Sequence, residues 1–326
     1  MTLSKAIKQQ RKSGIGGSDV GPIFGVSTFK TPLGIYDSKV LDLPDEENDL
    51  FWYGHEGEKM IARRIWHDLR KAKRYRGRKM IEPGMIWHPN GWAFANPDRI
   101  LIDKKTGDWI EGYECKWITN QFQKWSKDGE EPVRFPSAYY AQAFHYLWVA
   151  RANGHKLDRW WIVACFGGND TRYYEVKWCE DFAATLEKVL SFFWFDHVVK
   201  RVPPSYTGAK ADAKSLNRLF KDEVDETLEA SESTESKVQL FRQNQREIKR
   251  LEEENNIIKN DLRCVFGSAT RIEGSSWAST YKRPKARRRI DYKAMIKALN
   301  IPEKEVQKFA KESDQDRTLL INFKGD

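Results

Sequence analysis

The chain has 326 residues, with 56 Lys and Arg against 47 Asp and Glu and a formal net charge of +9 at pH 7. Mean hydropathy is −0.72, yet aromatics reach 13% and include 13 Trp, which excludes a disordered chain and supplies one large or two modest cores. No apolar segment opens the sequence and no run approaches about 18 apolar residues, so neither a secretion signal nor a membrane span is expected.

The first patterned segment, Arg11-Lys-Ser-Gly-Ile-Gly-Gly-Ser-Asp-Val20, reads as a glycine-rich entry to a helix that Ser18 or Asp19 can cap. Exposed glycine N–H groups beside Arg11 and Lys12 would make an anion site. It is not a Walker motif, because no Gly-Lys-Ser/Thr follows. Asn48 to Lys71 is expected as a helix, with Ile61, Ile65 and Leu69 recurring every fourth residue. From Met80 to Trp117 the period shortens between turn signals at Pro83-Gly84, Asn90-Gly91 and Gly107, which predicts a strand meander. Pro136–Arg151 reads as a helix, Arg159–Phe166 and Arg172–Val176 as strands, and Glu180–Lys200 as an aromatic-rich helix. The sum is a mixed sheet flanked by helices, an α/β or α+β layer architecture.

Twelve of the 13 Trp precede residue 195, and Val202-Pro203-Pro204 opens a more polar region. A boundary is therefore expected near 205, with one domain over 1–204 and an appendage over 205–326. The appendage starts with a charged helix whose Phe241, Ile248, Asn255 and Leu262 alternate with Asn244, Leu251 and Ile258 at heptad spacing. That pattern fits either an intramolecular helical hairpin or a dimer seam. Ala269–Glu273 and Trp277–Lys282 read as a hairpin, and Tyr292–Leu299 as a last helix. Residues 271–297 hold nine Lys or Arg against two Asp or Glu. Arg283, Lys285, Arg287, Arg288 and Arg289 are thus candidates to track phosphates or to meet a protein partner.

The strongest chemical signal is Asn96-Pro97-Asp98 followed, after a hairpin-sized gap, by Tyr113-Glu114-Cys115-Lys116. Period two in a strand puts Glu114 and Lys116 on one face and Tyr113, Cys115 and Trp117 on the other. Asp98 begins the preceding strand, so pairing would bring it beside Glu114. Two carboxylates and an ammonium there can hold a hard divalent cation and orient a water. Glu58 is the third acid, three residues before Ile61 on the apolar side of its helix, where it needs a metal or an ion partner such as Arg99 or Lys59. Asp158 with Glu175-Val-Lys177 is a formal rival that lacks such a helix acid. Gln142 and Tyr146, at i and i+4, are neighbours on the next helix. Cys115, Cys165, Cys179 and Cys264 show no C-x-x-C spacing and sit among apolar or aromatic neighbours, as expected of reduced thiols in a cytoplasmic protein.

Gly-Ile-Gly-Gly-Ser-Asp at 14–19, Gly54 with Glu58, Pro97-Asp98, Glu114-Cys-Lys116 and Gln142-x-x-x-Tyr146 occur in this order over residues 11–180. Together they resemble the YqaJ-type viral recombinases, relatives of lambda exonuclease among the PD-(D/E)xK nucleases. The resemblance implies a restriction-endonuclease-like α/β fold and a Mg²⁺ (or Mn²⁺) exonuclease using one or two ions. Such an enzyme digests linear duplex DNA from the 5′ end and leaves a 3′ overhang for a single-strand-annealing protein. It further implies a homo-oligomeric ring, a trimer favoured, encoded by a phage or prophage. By the same resemblance Asp98, Glu114 and Glu58 match metal-site acids, the Cys115 carbonyl completes the shell and Lys116 orients or activates water. Arg11 and Ser18 match a grip on the terminal 5′-phosphate, with Gln142, Asn96 and Tyr146 beside it. An endonuclease or junction resolvase on the same core, or a non-catalytic DNA-binding scaffold, are the alternatives. A Cas4-like enzyme would need clustered cysteines, which are absent.

Overall fold

The computed structural model describes residues 10–41, 49–120, 122–127, 129–284 and 291–309. In chain order its first elements are helices α1 (Gly17–Ile23), α2 (Pro32–Val40) and α3 (Asp49–Lys71). The strands β1 (Arg78–Ile81), β2 (Ile86–Trp87), β3 (Phe94–Ala95), β4 (Arg99–Asp103) and β5 (Trp109–Ile118) follow. Next come α4 (Ser137–Ala152), β6 (Arg159–Phe166), β7 (Asp170–Lys177) and α5 (Glu180–Phe192), which continues as a π-helical segment over Phe193–Val199.

The central sheet has the order β1-β4-β5-β6-β7. Only β5 and β6 run parallel, and α4 makes the crossover between them. One face carries the larger core, where Ile15, Leu33, Ile100, Phe144, Leu147, Trp160, Ile162 and Leu186 are buried together. On the other face Ile61, Ile65 and Leu69 of α3 pack on Leu101, Tyr113, Cys115, Val163 and Cys165. The four-residue apolar recurrence of α3 is thus its sheet-facing stripe. In β5, Tyr113 and Cys115 lie in the α3-side core, while Glu114 bonds to α4, as period-two alternation requires. Helix α4 is enclosed from Ala141 to Ala150 rather than along one stripe. The mixed α/β layering expected from the sequence is present.

The expected boundary near 205 moves. Helix α6 (Lys210–Leu219) returns to α2, where the Thr31 hydroxyl donates to Asp212 Oδ1 at 2.5 Å and Arg218 lies 3.4 Å from buried Asp37. The compact units are accordingly Met1–Lys221 and Asp222–Asp326. Local polarity in 205–221 concealed this return, which is made by buried polar pairs together with Leu216 and Leu219 packed against the larger core.

The second unit contains α7 (Glu232–Phe266), β8 (Arg271–Glu273), β9 (Ala278–Thr280), α8 (Tyr292–Ala298) and α9 (Glu303–Gln307). Ser231 caps α7 by accepting from the Thr234 N–H at 3.2 Å. The helix is one continuous element, so the heptad segment does not fold into a hairpin on itself. Its Phe241, Ile248, Leu251, Ile258 and Leu262 are exposed. The predicted β8–β9 hairpin forms, with Ile272 opposite Ser279. Arg283 is exposed; Lys285, Arg287, Arg288 and Arg289 lie outside the described residues. Among the described residues no helix is long and apolar enough to cross a membrane.

Candidate active site

The β4–β5 ladder pairs Arg99 with Tyr113, which sets Asp98 beside the stretch around Glu114. The Cys115 backbone N–H donates to Asp98 Oδ2 at 2.7 Å, closing the strand-start geometry read from Pro97-Asp98. Lys116 Nζ stands 2.6 Å from Glu114 Oε1 and 5.0 Å from the centroid of the Tyr139 ring. Gln142 Nε2, from α4, donates to the same Glu114 Oε1 at 2.6 Å and to Tyr146 Oη at 2.9 Å. The other oxygen, Glu114 Oε2, is buried and has no hydrogen-bond partner among the described residues.

The electrostatics follow from this crowding. Burial raises the Asp98 carboxyl well above its ordinary range, and the charges of Glu114 and Glu58 push it further. Burial also raises Glu114; Lys116 opposes that rise and Glu58 adds to it. For Lys116, burial works against the charge, but Glu114 and Asp98 overcome it and hold the ammonium protonated. A buried carboxylate oxygen without a donor, beside a second carboxylate, is a site short of positive charge. The donor set of two carboxylates and a backbone carbonyl at Cys115 fits a hard divalent cation.

Glu58 is close enough to perturb both acids, but it stays about one-third exposed (32% of the side chain) and 3.5 Å from His55 Nδ1. Its ionic neighbour is neither Arg99 nor Lys59; Arg99 pairs with Glu82 at 2.8 Å and Lys59 with Glu56 at 2.7 Å. Among the described residues no three His, Cys, Asp or Glu side chains converge closely enough to cage a metal. Each acid of the rival pair already has a cation: Asp158 meets Arg151 at 3.3 Å, and the partly buried Glu175 meets Arg159 at 2.6 Å.

The glycine segment differs from expectation. Gly14, Gly16 and Gly17 are buried, and none has positive φ. A Cβ on Gly14 would fall 2.8 Å from the Trp87 ring, and one on Gly17 would fall 2.3 Å from Tyr146. Close approach therefore requires these glycines, not N–H presentation. The Gly16 N–H is already donated to Asp19 Oδ2 at 2.9 Å, so Asp19, rather than Ser18, serves the entry to α1.

Sequence reasoning missed Lys39. Its Nζ lies 2.7 Å from Asp19 Oδ2 with its side chain only 5% exposed, and it donates to the Arg11 carbonyl at 2.7 Å. Burial raises Asp19, but Lys39 and the Gly16 N–H outweigh it and hold the carboxyl low. Burial, with the charges of Glu114 and Asp98, raises the Tyr146 hydroxyl well above its ordinary range, and the charge of Arg11 opposes that rise slightly. Arg11, Ser18 and Asn96 are exposed. No hydrogen bond among the described residues joins Ser18 or Asn96 to the acids. Asp98, Glu114, Lys116, Gln142 and Tyr146 thus form one bonded cluster, with Glu58 and Arg11 at its margins. Two of the four unpaired cysteines, Cys179 and Cys264, are exposed, contrary to their apolar sequence neighbours; Cys115 and Cys165 are buried.

A crystal structure of an alkaline exonuclease from Laribacter hongkongensis aligns with 61% of this chain and 94% of its own at a TM-score of 0.43 and 16% identity. The protein YqaJ of Bacillus subtilis (strain 168) is 23% identical over 290 residues, covering 88% of this chain and 85% of YqaJ. Residues 7–153 match the model of the YqaJ-like viral recombinase domain, a span that holds Arg11, Glu58, Asp98, Glu114, Lys116, Gln142 and Tyr146. Over residues 7–153 this chain is thus similar to the YqaJ-like viral recombinase domain.

Proposed function

We propose that the chain is a divalent-metal exonuclease that digests linear double-stranded DNA from the 5′ end on a restriction-endonuclease-like core. The observation that carries this reading is Glu114: one oxygen takes Lys116 and Gln142 while the other is buried without a partner beside Asp98. Asp98, Glu114 and the Cys115 carbonyl would hold Mg²⁺ or Mn²⁺, with Glu58 reaching one ion or a second. Bound there, the cation polarises a phosphoryl oxygen and makes water acidic enough to attack. Lys116, kept charged by its acidic neighbours, orients that water and steadies charge on the phosphate. Gln142 fixes the Glu114 carboxylate and Tyr146. Arg11, with Ser18 and Asn96 at the rim, receives the terminal 5′-phosphate.

The recombinase-domain match supports the rest of the reading. The remaining strand leaves as a 3′ overhang for a single-strand-annealing partner in the bacterial cytoplasm, and a ring of this chain, a trimer favoured, keeps the enzyme on its substrate.

The test is digestion of end-labelled linear duplex, with and without Mg²⁺ and with and without a 5′-phosphate, beside a covalently closed circle. The expected result is metal-dependent loss of the linear, 5′-phosphorylated substrate and survival of the circle. Lys116→Ala should slow the single-turnover step by about 10²-fold or more with DNA affinity little changed, whereas Glu175→Ala should be nearly silent. Full activity of Lys116→Ala would remove the catalytic assignment. Cutting of the circle would favour an endonuclease, and indifference to the phosphate would dismiss the role of Arg11 and Ser18.

A further inference from the structure

A wide cleft of about 810 Å³ runs between α3 and the β1 edge of the sheet. Lys59, Arg63, Arg78, Lys79, Arg99 and Lys104 line it, against the single acid Glu82. One side of a helix and one edge of the sheet make this wall. Lys59, Arg63 and Trp66 lie at i, i+4 and i+7 along one side of α3. Arg78 and Lys79 come from β1, the outermost strand, and Arg99 and Lys104 from the two ends of its neighbour β4. Lys104 is held close because its N–H donates to the Gly77 carbonyl at 2.8 Å.

The charge is not cancelled within the cleft. Glu82 is taken by Arg99, and Lys59 meets Glu56 on its own helix. Arg63, Arg78, Lys79 and Lys104 have no ion-pair partner among the described residues. Arg78 Nη1 is buried without a hydrogen-bond partner among the described residues, which costs free energy unless an anion reaches it. Two of the lining residues adjoin the catalytic cluster along the chain. Lys59 follows Glu58 directly, and Arg99 follows Asp98, whose carbonyl its Nη1 contacts at 2.5 Å.

The geometry points to this cleft as the track for the phosphodiester backbone of the duplex next to the scissile end, an assignment that rests on the nuclease reading above. A group of cations carried on the same helix and strand as Glu58 and Asp98 suits a polyanion that must be drawn toward those carboxylates, since phosphate contacts supply most of the affinity and fix register without reading sequence. The track explains how DNA approaches Asp98 and Glu114 against their own negative charge.

Arg63→Gln/Lys79→Gln/Lys104→Gln removes three exposed cations while leaving the cluster intact. Duplex KM should rise about tenfold or more, with kcat kept within about twofold, and the slope of log affinity against log salt should fall by about 3. Lys79→Gln/Lys104→Gln, which alters no helix, should give about two-thirds of the slope change. Lys127→Gln/Lys156→Gln/Lys188→Gln removes the same charge elsewhere and should leave the slope unchanged. An unchanged KM and slope in the triple cleft variant would overturn the track, as would an equal loss in the control triplet. A wild-type chain that neither binds nor cuts linear duplex would instead overturn the nuclease reading itself.

Discussion

Gln142 Nε2 donates to Glu114 Oε1 at 2.6 Å, a bond that ties α4 to β5 across 28 positions of sequence. The same amide group also holds Tyr146 Oη at 2.9 Å. One side chain thereby fixes which carboxylate oxygen turns toward Lys116 and which is left without a donor among the described residues.

Gln142→Ala should therefore act through Glu114. Loss of two buried hydrogen bonds is expected to cost about 1–3 kcal/mol in urea unfolding. Turnover should fall about 10- to 100-fold, as for other residues that orient metal ligands, with a weaker apparent affinity for Mg²⁺. A metal titration that superimposes on wild type would show that Glu114 is held without this amide.

The two glycine classes should respond with opposite signs. At Gly17 an added Cβ would sit 2.3 Å from Tyr146, so Gly17→Ala should lose about 1–3 kcal/mol by overpacking. At Gly54, inside α3, nothing lies within 4 Å, so Gly54→Ala should gain up to about 1 kcal/mol from helix propensity and lost chain entropy. Denaturation midpoints of both variants, measured side by side, decide the matter.

Acid should destabilise the first unit through His145. Burial lowers its pKa from 6.5 to about 4, against a small opposing effect of the Phe94 carbonyl, which its Nε2 contacts at 2.9 Å. The unfolded chain takes up the proton first, so this contribution is intact above pH 6.5 and is lost as pH falls toward 4. The loss should be on the order of 3 kcal/mol. Urea midpoints across pH 4–8 should show it, and His145→Gln should flatten that part of the curve. An equally steep curve in the variant would assign the acid sensitivity elsewhere.

The Lys39–Asp19 pair supports the segment that carries Arg11. Lys39→Met leaves Asp19 buried without its counter-charge, so a loss of about 3–5 kcal/mol is expected. Adding Asp19→Asn removes the stranded charge and should return part of it. Equal stability of the single and double variants would mean that the pair contributes packing alone.

Much of the site is local and so was legible. Alternation in β5 separates Glu114 and Lys116 from Tyr113 and Cys115, and the Pro97 turn starts a strand that pairs in the expected register. The four-residue recurrence in α3 names its buried stripe. The glycine segment misled because glycine permits both open N–H presentation and close contact, and only the neighbours Trp87, Phe94 and Tyr146 choose between them.

The sequence by itself therefore determined a local arrangement: which acids and which lysine share a sheet edge, since strand and helix periods are set by residues a few positions apart. The tertiary structure alone decided the division of Glu114's two oxygens, the Lys39 support, the basic cleft and the return of α6. Each of these depends on partners brought together over long separations, 181 positions for Thr31 and Asp212. Their free energy comes from burial and charge pairing in the folded chain, and no local period records it.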